Sequence, residues 1–354
     1  MAPHMRPLLL LTLLALAQAT PASAQLPGVG QTVGDLVRDP VGQVTDTTEE
    51  LSRSATRELR NARDVAARQL QRRHRDVIDT DRNGDIVVRN EVLAIAPSEE
   101  ALTAARGAGF TVSETMEDSA LGLRIVILRA PRGMTTRRAV ETMQRLDPDG
   151  AYDFNHLYLG AGPAAPGAKQ ARDNGGPSSG PRIGLIDSGV DAAHPAFTGV
   201  AMVQRGFAGE ARATPHGTAV ASLLGDDASL FVADVYGAAP TGGGASAIVA
   251  AMGWLAHSRV GVINVSLVGP PNRALEAAIR AAIARGHVIV AAVGNDGPAA
   301  APLYPAAYAG VVGVTGVDAR DRVLPEAGRG EHVDFAALGV VDAAAVGGRS
   351  ARVR

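Results

Sequence analysis

From Pro181 onward, continuous apolar runs alternate with helical patterns, and this alternation limits the fold more than any other feature of the chain. The runs are Arg182–Ile186, Leu230–Tyr236, Val262–Leu267, Val288–Val293 and Val311–Val317. Helical patterns fall between them at Ala219–Leu224, Ala245–Ala256 and Arg273–Arg285. A strand wet on one face alternates apolar and polar residues, whereas an unbroken apolar run suits a parallel sheet covered on both faces. The pattern therefore predicts an α/β fold, an open parallel sheet with helices on both faces. In such sheets the residues that act on ligands lie just beyond the carboxyl ends of the strands.

Residues 91–160 have a different texture. Strand-like Glu91–Ala96, Gly109–Ser113, Leu121–Leu128 and Tyr152–Tyr158 are interleaved with two helical stretches. Ser98 opens the first, through Ala105, with Glu99 and Glu100 placed where they suit the helix dipole. Thr135 opens the second, Thr136–Leu146. The order β-α-β-β-α-β is that of a small α+β, ferredoxin-like sandwich. At roughly 70 residues such a unit is marginal alone and is expected to lean on a partner.

The N-terminal part reads as an address and an arm. Arg6, the apolar run Leu8–Ala17 and Ala22-Ser23-Ala24 before Gln25 describe a cleavable export signal over residues 1–24. That run is shorter than the ~20 residues that cross a bilayer. The expectation is a secreted or periplasmic protein with no transmembrane anchor. Residues 25–90 read as a flexible lead followed by a basic helical arm. In the arm, Leu51, Ala55, Leu59, Ala62, Ala66 and Leu70 recur at helical spacing, and residues 51–77 hold eight arginines against three acids. The stripe is half alanine and lacks an aromatic anchor, so a solvated arm is favoured over a membrane or nucleic-acid binder. A formal net charge of −2 adds no pull toward nucleic acid.

Asp79, Asp81, Asn83, Gly84 and Asp85 resemble the start of a calcium loop, but its twelfth position is Asn90 rather than a glutamate. Asn83-Gly84 marks a hairpin turn instead. Residues 161–180, rich in Gly, Pro, Ala and Ser, form a linker of the kind proteases cut. The chain has no cysteine, which removes disulfides, thiolate metal sites and a cysteine nucleophile together.

Several polar residues cluster at the predicted strand ends. Asp187-Ser188-Gly189 closes the first strand, and Pro215-His216-Gly217-Thr218 precedes a helix. Asn264-Val265-Ser266-Leu267 ends the middle strand, and Val293-Gly294-Asn295-Asp296-Gly297 ends the next. Each alone has an ordinary explanation as a cap or turn. Together, in this order and on these elements, with His194-Pro195 following the aspartate motif, they resemble the subtilisin-like serine proteases, or subtilases.

The resemblance covers Pro181 onward and carries implications for the rest. It implies a catalytic unit over residues 181–354, with Asp187 orienting His216, His216 as the base, and the Asn295 amide donating to an oxyanion. It places Asn264 and Ser266 on a strand that binds an extended peptide or protein substrate. It implies that residues 91–160 are a prodomain acting as an intramolecular inhibitor, and that the linker is its processing region. No cofactor is required. Structural calcium, common in the family, has no loop assigned to it.

One family motif is absent. The nucleophile segment is Gly-Thr-Ser at the start of a helix, and the only Gly-Thr pair here is Gly217-Thr218. Ser188, Ser266 and Ser350 lack that lead. The sequence therefore reads as a subtilase truncated before its nucleophile, expected to be inactive and poorly folded by itself because apolar sheet surface is left uncovered. The alternative is a non-catalytic pseudoprotease that binds peptides or inhibits. A metal hydrolase using Asp187, Asp191 and His194 is a further reading, although the spacing fits no standard ligand set.

Overall fold

A computed structural model describes residues 63–160, 169–170, 180–224 and 228–353. All of these belong to one unit of the chain, Glu49–Arg354. The expected leader, the flexible lead, the first part of the arm and most of the linker lie outside the described residues.

The arm is a helix, α1, over residues 63–73. Its Ala67 and Leu70 pack on a small buried cluster of Ile78, Ile86, Val88 and Leu157. Strands β1 (Ile78–Thr80) and β2 (Ile86–Ile95) then form a hairpin. Asp81 ties the turn: its Oδ1 accepts from the backbone N–H of Asn83 (2.8 Å) and of Asp85 (2.9 Å). A carboxylate oxygen engaged this way serves an Asx turn rather than an ion. The small unit starts earlier than residue 91, which falls inside β2. Asn90 adopts a φ of 61°, and the pairing register of β2 shifts between Val87 and Val92. This bulge joins two short apolar runs into one bent strand.

The unit continues through α2 (Glu99–Gly107), β3 (Thr111–Asp118), β4 (Leu123–Arg129), α3 (Thr136–Leu146) and β5 (Ala151–His156). Ser98 and Thr135 cap the two helices, each accepting a backbone N–H in the first turn. β2 pairs antiparallel with β1, β4 and β5, and β4 with β3, which is the ferredoxin-like arrangement with one added strand. Val92, Leu102, Val126, Leu128, Val140 and Met143 fill the space between sheet and helices.

After β6 (Leu159–Gly160) and β7 (Lys169–Gln170), the chain enters the large sheet with β8 (Arg182–Asp187) and β9 (Met202–Gly206). Then come β10 (Arg212–Ala213), α4 (Pro215–Ala221), β11 (Ser229–Asp234), α5 (Ala245–His257), β12 (Val262–Val265) and β13 (Leu267–Val268). The rest is α6 (Arg273–Ala284), β14 (Val288–Ala292), β15 (Val312–Val317), β16 (Phe335–Leu338), β17 (Val341–Ala345) and β18 (Arg349–Val353). The sheet order is β16-β15-β14-β12-β8-β11-β9, and every pair in it is parallel.

Ile186, Ile263 and Ile289 from the strands pack against Ile248, Leu255, Leu275 and Ile279 of α5 and α6. Leu185, Leu230 and Val232 point to the opposite face, toward Phe197 and Ala221. Each such fully buried side chain stabilises the fold by about 1.5–3 kcal/mol.

Three features depart from the expected pattern. β9 alternates buried and exposed residues because it is an edge strand, so it has no continuous apolar run. The Gly/Ala stretch near the C-terminal end is a hairpin: β17 pairs with β18 around Gly347 and Gly348, both at positive φ. Two residues of the linker, Lys169 and Gln170, pair with Ala213 and Arg212 as a short strand.

Strand β5 joins the small unit to the large one by capping two of its helices. Gly244, at the cap position of α5, has no side chain to offer, and Asn155 Oδ1 accepts from Ser246 N instead (3.1 Å). Asp153 Oδ2 accepts from Arg273 N in the first turn of α6 (2.7 Å). Asn272, 2% exposed, caps α6 with its Oδ1 and donates through Nδ2 to Phe154 O (2.8 Å). We expect Asn155→Ala to lower unfolding stability by ~1–2 kcal/mol, the scale of a lost cap. A denaturant titration checks this, and a loss of only a few tenths would mean that β5 does not cap α5.

Candidate active site

Parallel pairing sets Asp187 at the carboxyl end of β8, opposite Asp234 of β11 and one residue past the Val265–Ile186 pair of β12. Asp187 is 1% exposed. His216 lies in the first turn of α4. Thr214 caps that helix by accepting from Gly217 N (3.2 Å), and Pro215, which has no N–H to lose, occupies its first position. The helix therefore starts four residues before the expected Ala219, which draws His216 into it.

The glycines of both motifs allow a close approach. A Cβ on Gly217 would collide with the Ser188 backbone, and one on Gly189 with the backbone of Arg212. With only hydrogens there, the start of α4 sits against the end of β8. His216 Nδ1 then lies 2.9 Å from each oxygen of Asp187, with the aligned hydrogen bond running to Oδ1. Oδ2 is left without an aligned donor.

Hydroxyls complete the support. Ser188 donates to Asp187 Oδ1 through Oγ (2.8 Å) and also through its backbone N–H. A carboxylate only accepts, so the Ser188 hydroxyl proton points to it. The hydroxyl contact between Ser188 and Thr214 must then be donated by Thr214. Thr214 thus holds Ser188, and Ser188 holds the carboxylate. Asp234 fixes the other side by accepting from Arg212 N (2.7 Å), and its carboxyl is raised by burial and lowered in part by its backbone donors.

The pKa of His216 is set by opposing causes. Burial lowers it, but the charge of Asp187 and the hydrogen bond to it raise it, and the net direction is upward from the ordinary imidazole value. The side chain is 21% exposed, and Nδ1 is engaged, so Nε2 is the nitrogen left to exchange a proton.

Asn264 and Ser266 are bonded to one another, Nδ2 to Oγ at 2.7 Å. Asn264 is inside the sheet, on β12, and the edge available to an extended segment belongs to the next residues: β13 pairs antiparallel with β6, Leu267 with Gly160 and Val268 with Leu159. Tyr158, just before β6, is fully buried and donates to Pro270 O (2.7 Å). Asn295 is exposed and follows β14, on the same rim as Asp187 because β14, β12 and β8 run parallel. Gly294, at φ +92°, turns the chain there, and its carbonyl accepts from Gly328 N (3.0 Å).

The Subtilase family model matches residues 178–351. The chain is 30% identical over 188 residues to Subtilisin Savinase of Lederbergia lenta, a match covering 49% of this chain and 69% of that protein. This chain belongs to the subtilase family. An alkaline protease of Alkalihalobacillus alcalophilus is also 30% identical over 188 residues, and there the match spans 49% of the relative, about half its length. Among solved structures, fervidolysin from Fervidobacterium pennivorans, a keratinolytic enzyme related to subtilisin, superposes with a TM-score of 0.61. At 16% identity, covering 78% of this chain and 54% of that one, it supports the subtilisin-like α/β fold.

The other candidate residues of this subtilase have separate duties. The Ser188 hydroxyl is committed to Asp187. Ser350 is in β18, opposite Ala344, in a strand rather than at the start of a helix. Of the metal reading, His194 Nδ1 accepts from Ala196 N (3.0 Å) and Asp191 Oδ2 from Gly347 N (3.1 Å), and among the described residues no group of three or more His, Cys, Asp or Glu is placed to hold a metal ion. Sequence reasoning passed over Thr214, although Thr-Pro before a helix is a cap signature.

Three measurements check this geometry. Because Asp187 alone offsets burial, Asp187→Asn should drop the His216 pKa below the ordinary imidazole value, readable by NMR titration of the ring. A raised native pKa adds stability below the ordinary imidazole value, and that contribution is lost as pH rises through the raised value. Stability of the parent minus that of Asp187→Asn should therefore shrink from pH 5 toward alkaline pH; a gap independent of pH would contradict the pairing. For the hydroxyls, Ser188→Ala and Thr214→Val should each broaden the low-field Nδ1 proton of His216 by faster solvent exchange. Thr214→Ser should restore it.

Proposed function

We propose that this subtilase serves as a serine endopeptidase, exported with its small N-terminal unit as an intramolecular inhibitor. One observation carries the proposal: the Asp187–His216 hydrogen bond sits on the rim of a parallel sheet, and β13 on that rim is already paired with an extended segment. In the reaction, His216 Nε2 takes the proton of a serine hydroxyl as its oxygen bonds to the peptide carbonyl carbon. Asp187 holds the ring tautomer and stabilises the imidazolium. Asn295 donates to the oxyanion, a role whose loss costs ~10²–10³ in turnover in subtilisin. The imidazolium then gives its proton to the leaving amine, and water attacks the acyl group by the same route. Main-chain pairing with β13 supplies substrate affinity with little side-chain demand.

The hydroxyl of this proposal comes from a Gly-Thr-Ser segment, which these 354 residues do not contain. A second reading, carried by the pairing of β13 with an extended segment, is a protein that binds extended peptides along β13 without cleaving them. A fluorophosphonate probe applied to the natural product of the gene separates the two. Labelling that disappears in His216→Ala supports the peptidase, and Asp187→Asn should then lower turnover by on the order of 10⁴. Absence of labelling together with tight peptide binding would establish the second reading.

A further inference from the structure

The eight arginines of the N-terminal arm have no part in the chemistry above, yet the arm is not simply solvated. Helix α1 runs over residues 63–73, and its first described residue, Arg63, reaches the far unit: Nε lies 3.0 Å from Oδ2 of Asp296. Asp296 adjoins Asn295, and its side chain is only 8% exposed, against 24% for Arg63. One turn further on, Ala67 and Leu70 pack on the same small buried cluster, which includes Leu157, that Leu159 packs on; Leu157 and Leu159 flank Tyr158. Ala66 of the expected apolar stripe faces outward instead. Between α1 and the sheet rim is a cavity of about 240 Å³, walled by Arg63, Ala67 and Gln71 on one side and by Leu159, Val268 and Gly269 on the other. The helix thus stands over the strip where β6 pairs with β13.

We propose that α1 is an autoinhibitory latch: it roofs the groove beside β13 and pins, through Arg63 and Asp296, the loop that carries Asn295. The proposal rests on the peptidase or peptide-binding reading of that groove. Its logic is steric and electrostatic. An incoming peptide needs the edge of β13, which β6 occupies, and lifting β6 would pull Leu159 from the apolar cluster it shares with Ala67 and Leu70. Asp296 is shielded from water, which strengthens its attraction to the Arg63 guanidinium of the arm. A charged hydrogen bond in partly buried surroundings is worth about a tenfold change in an equilibrium constant.

The test uses the full chain and no turnover. Hydrogen exchange is followed in peptides spanning residues 293–298 and 266–270. Binding is followed with a fluorescein-labelled peptide of residues 155–160, Asn-His-Leu-Tyr-Leu-Gly. Arg63→Glu should speed exchange across Gly294–Gly297 about tenfold and tighten binding of the labelled peptide by a similar factor. Arg63→Gln should act in the same direction more weakly, and Arg63→Lys should stay near the parent. Leu70→Asp, which attacks the apolar half of the latch, should also tighten peptide binding. The proposal is overturned if Arg63→Glu matches the parent in both readouts, or if exchange rises while peptide binding does not. Neither readout depends on a nucleophile, so failed probe labelling removes the peptidase reading and leaves this result standing.

Discussion

Parallel pairing of β14, β12 and β8 forces three strand ends onto one rim, and the chemistry of the molecule is arranged around that constraint. Side chains far apart in sequence become neighbours because the connections, α5 and α6 among them, return each strand in the same direction. An antiparallel sheet would have sent alternate ends to opposite rims. The rim is also where backbone groups run out of sheet partners, so β13, leaving the sheet after Ser266, has an edge free to pair with β6. The placing of Asp187 beside His216 and the pairing of β13 with β6 thus have a single origin.

Burying Asp187 to 1% exposure would be costly without compensation. The carboxylate is held by the Ser188 hydroxyl and N–H and by His216. The same burial that threatens the carboxylate makes its field on His216 strong, because little water stands between them. The two motif glycines make this possible by letting backbone approach backbone. The Asp-Ser-Gly and His-Gly-Thr signatures are therefore packing statements as much as chemical ones.

What was legible in the sequence follows the range of the forces involved. Thr135 and Ser98 announce α3 and α2 because capping is settled within three residues. The apolar runs of β8, β12 and β14 announce a buried parallel sheet because both faces are covered. Asp187 and His216 stand out because each lies within two residues of a glycine at a strand or helix end. The edge strand β9 and the hairpin β17–β18 lack such signals, since an exposed edge needs no continuous apolar run. The bulge at Asn90 hides the unity of β2 by interrupting its pattern with polar residues. Arg63 and Asp296 are 233 positions apart by their residue numbers, and no local pattern connects them. Nor does composition separate an arginine that pairs with a shielded carboxylate from seven others in the same arm.

The small unit shows why a marginal module can be firmly held without a large core. Its strand β5 does not merely lie on α5 and α6; it supplies acceptors at their first turns. Helix starts expose N–H groups that no residue within the helix can satisfy. For α5 the chain's own cap residue is Gly244, which has no side chain, so the defect is corrected by Asn155 of the small unit. Asp153 adds a negative charge at the positive end of α6. Each unit is thus incomplete where the other is rich in acceptors. Anything that separates them must leave the start of α5 uncapped, strip Asp153 from the start of α6, expose Tyr158 and part Asp296 from Arg63. Those contacts meet beside the β6–β13 pairing, so what docks the small unit also holds β6 on the edge of β13.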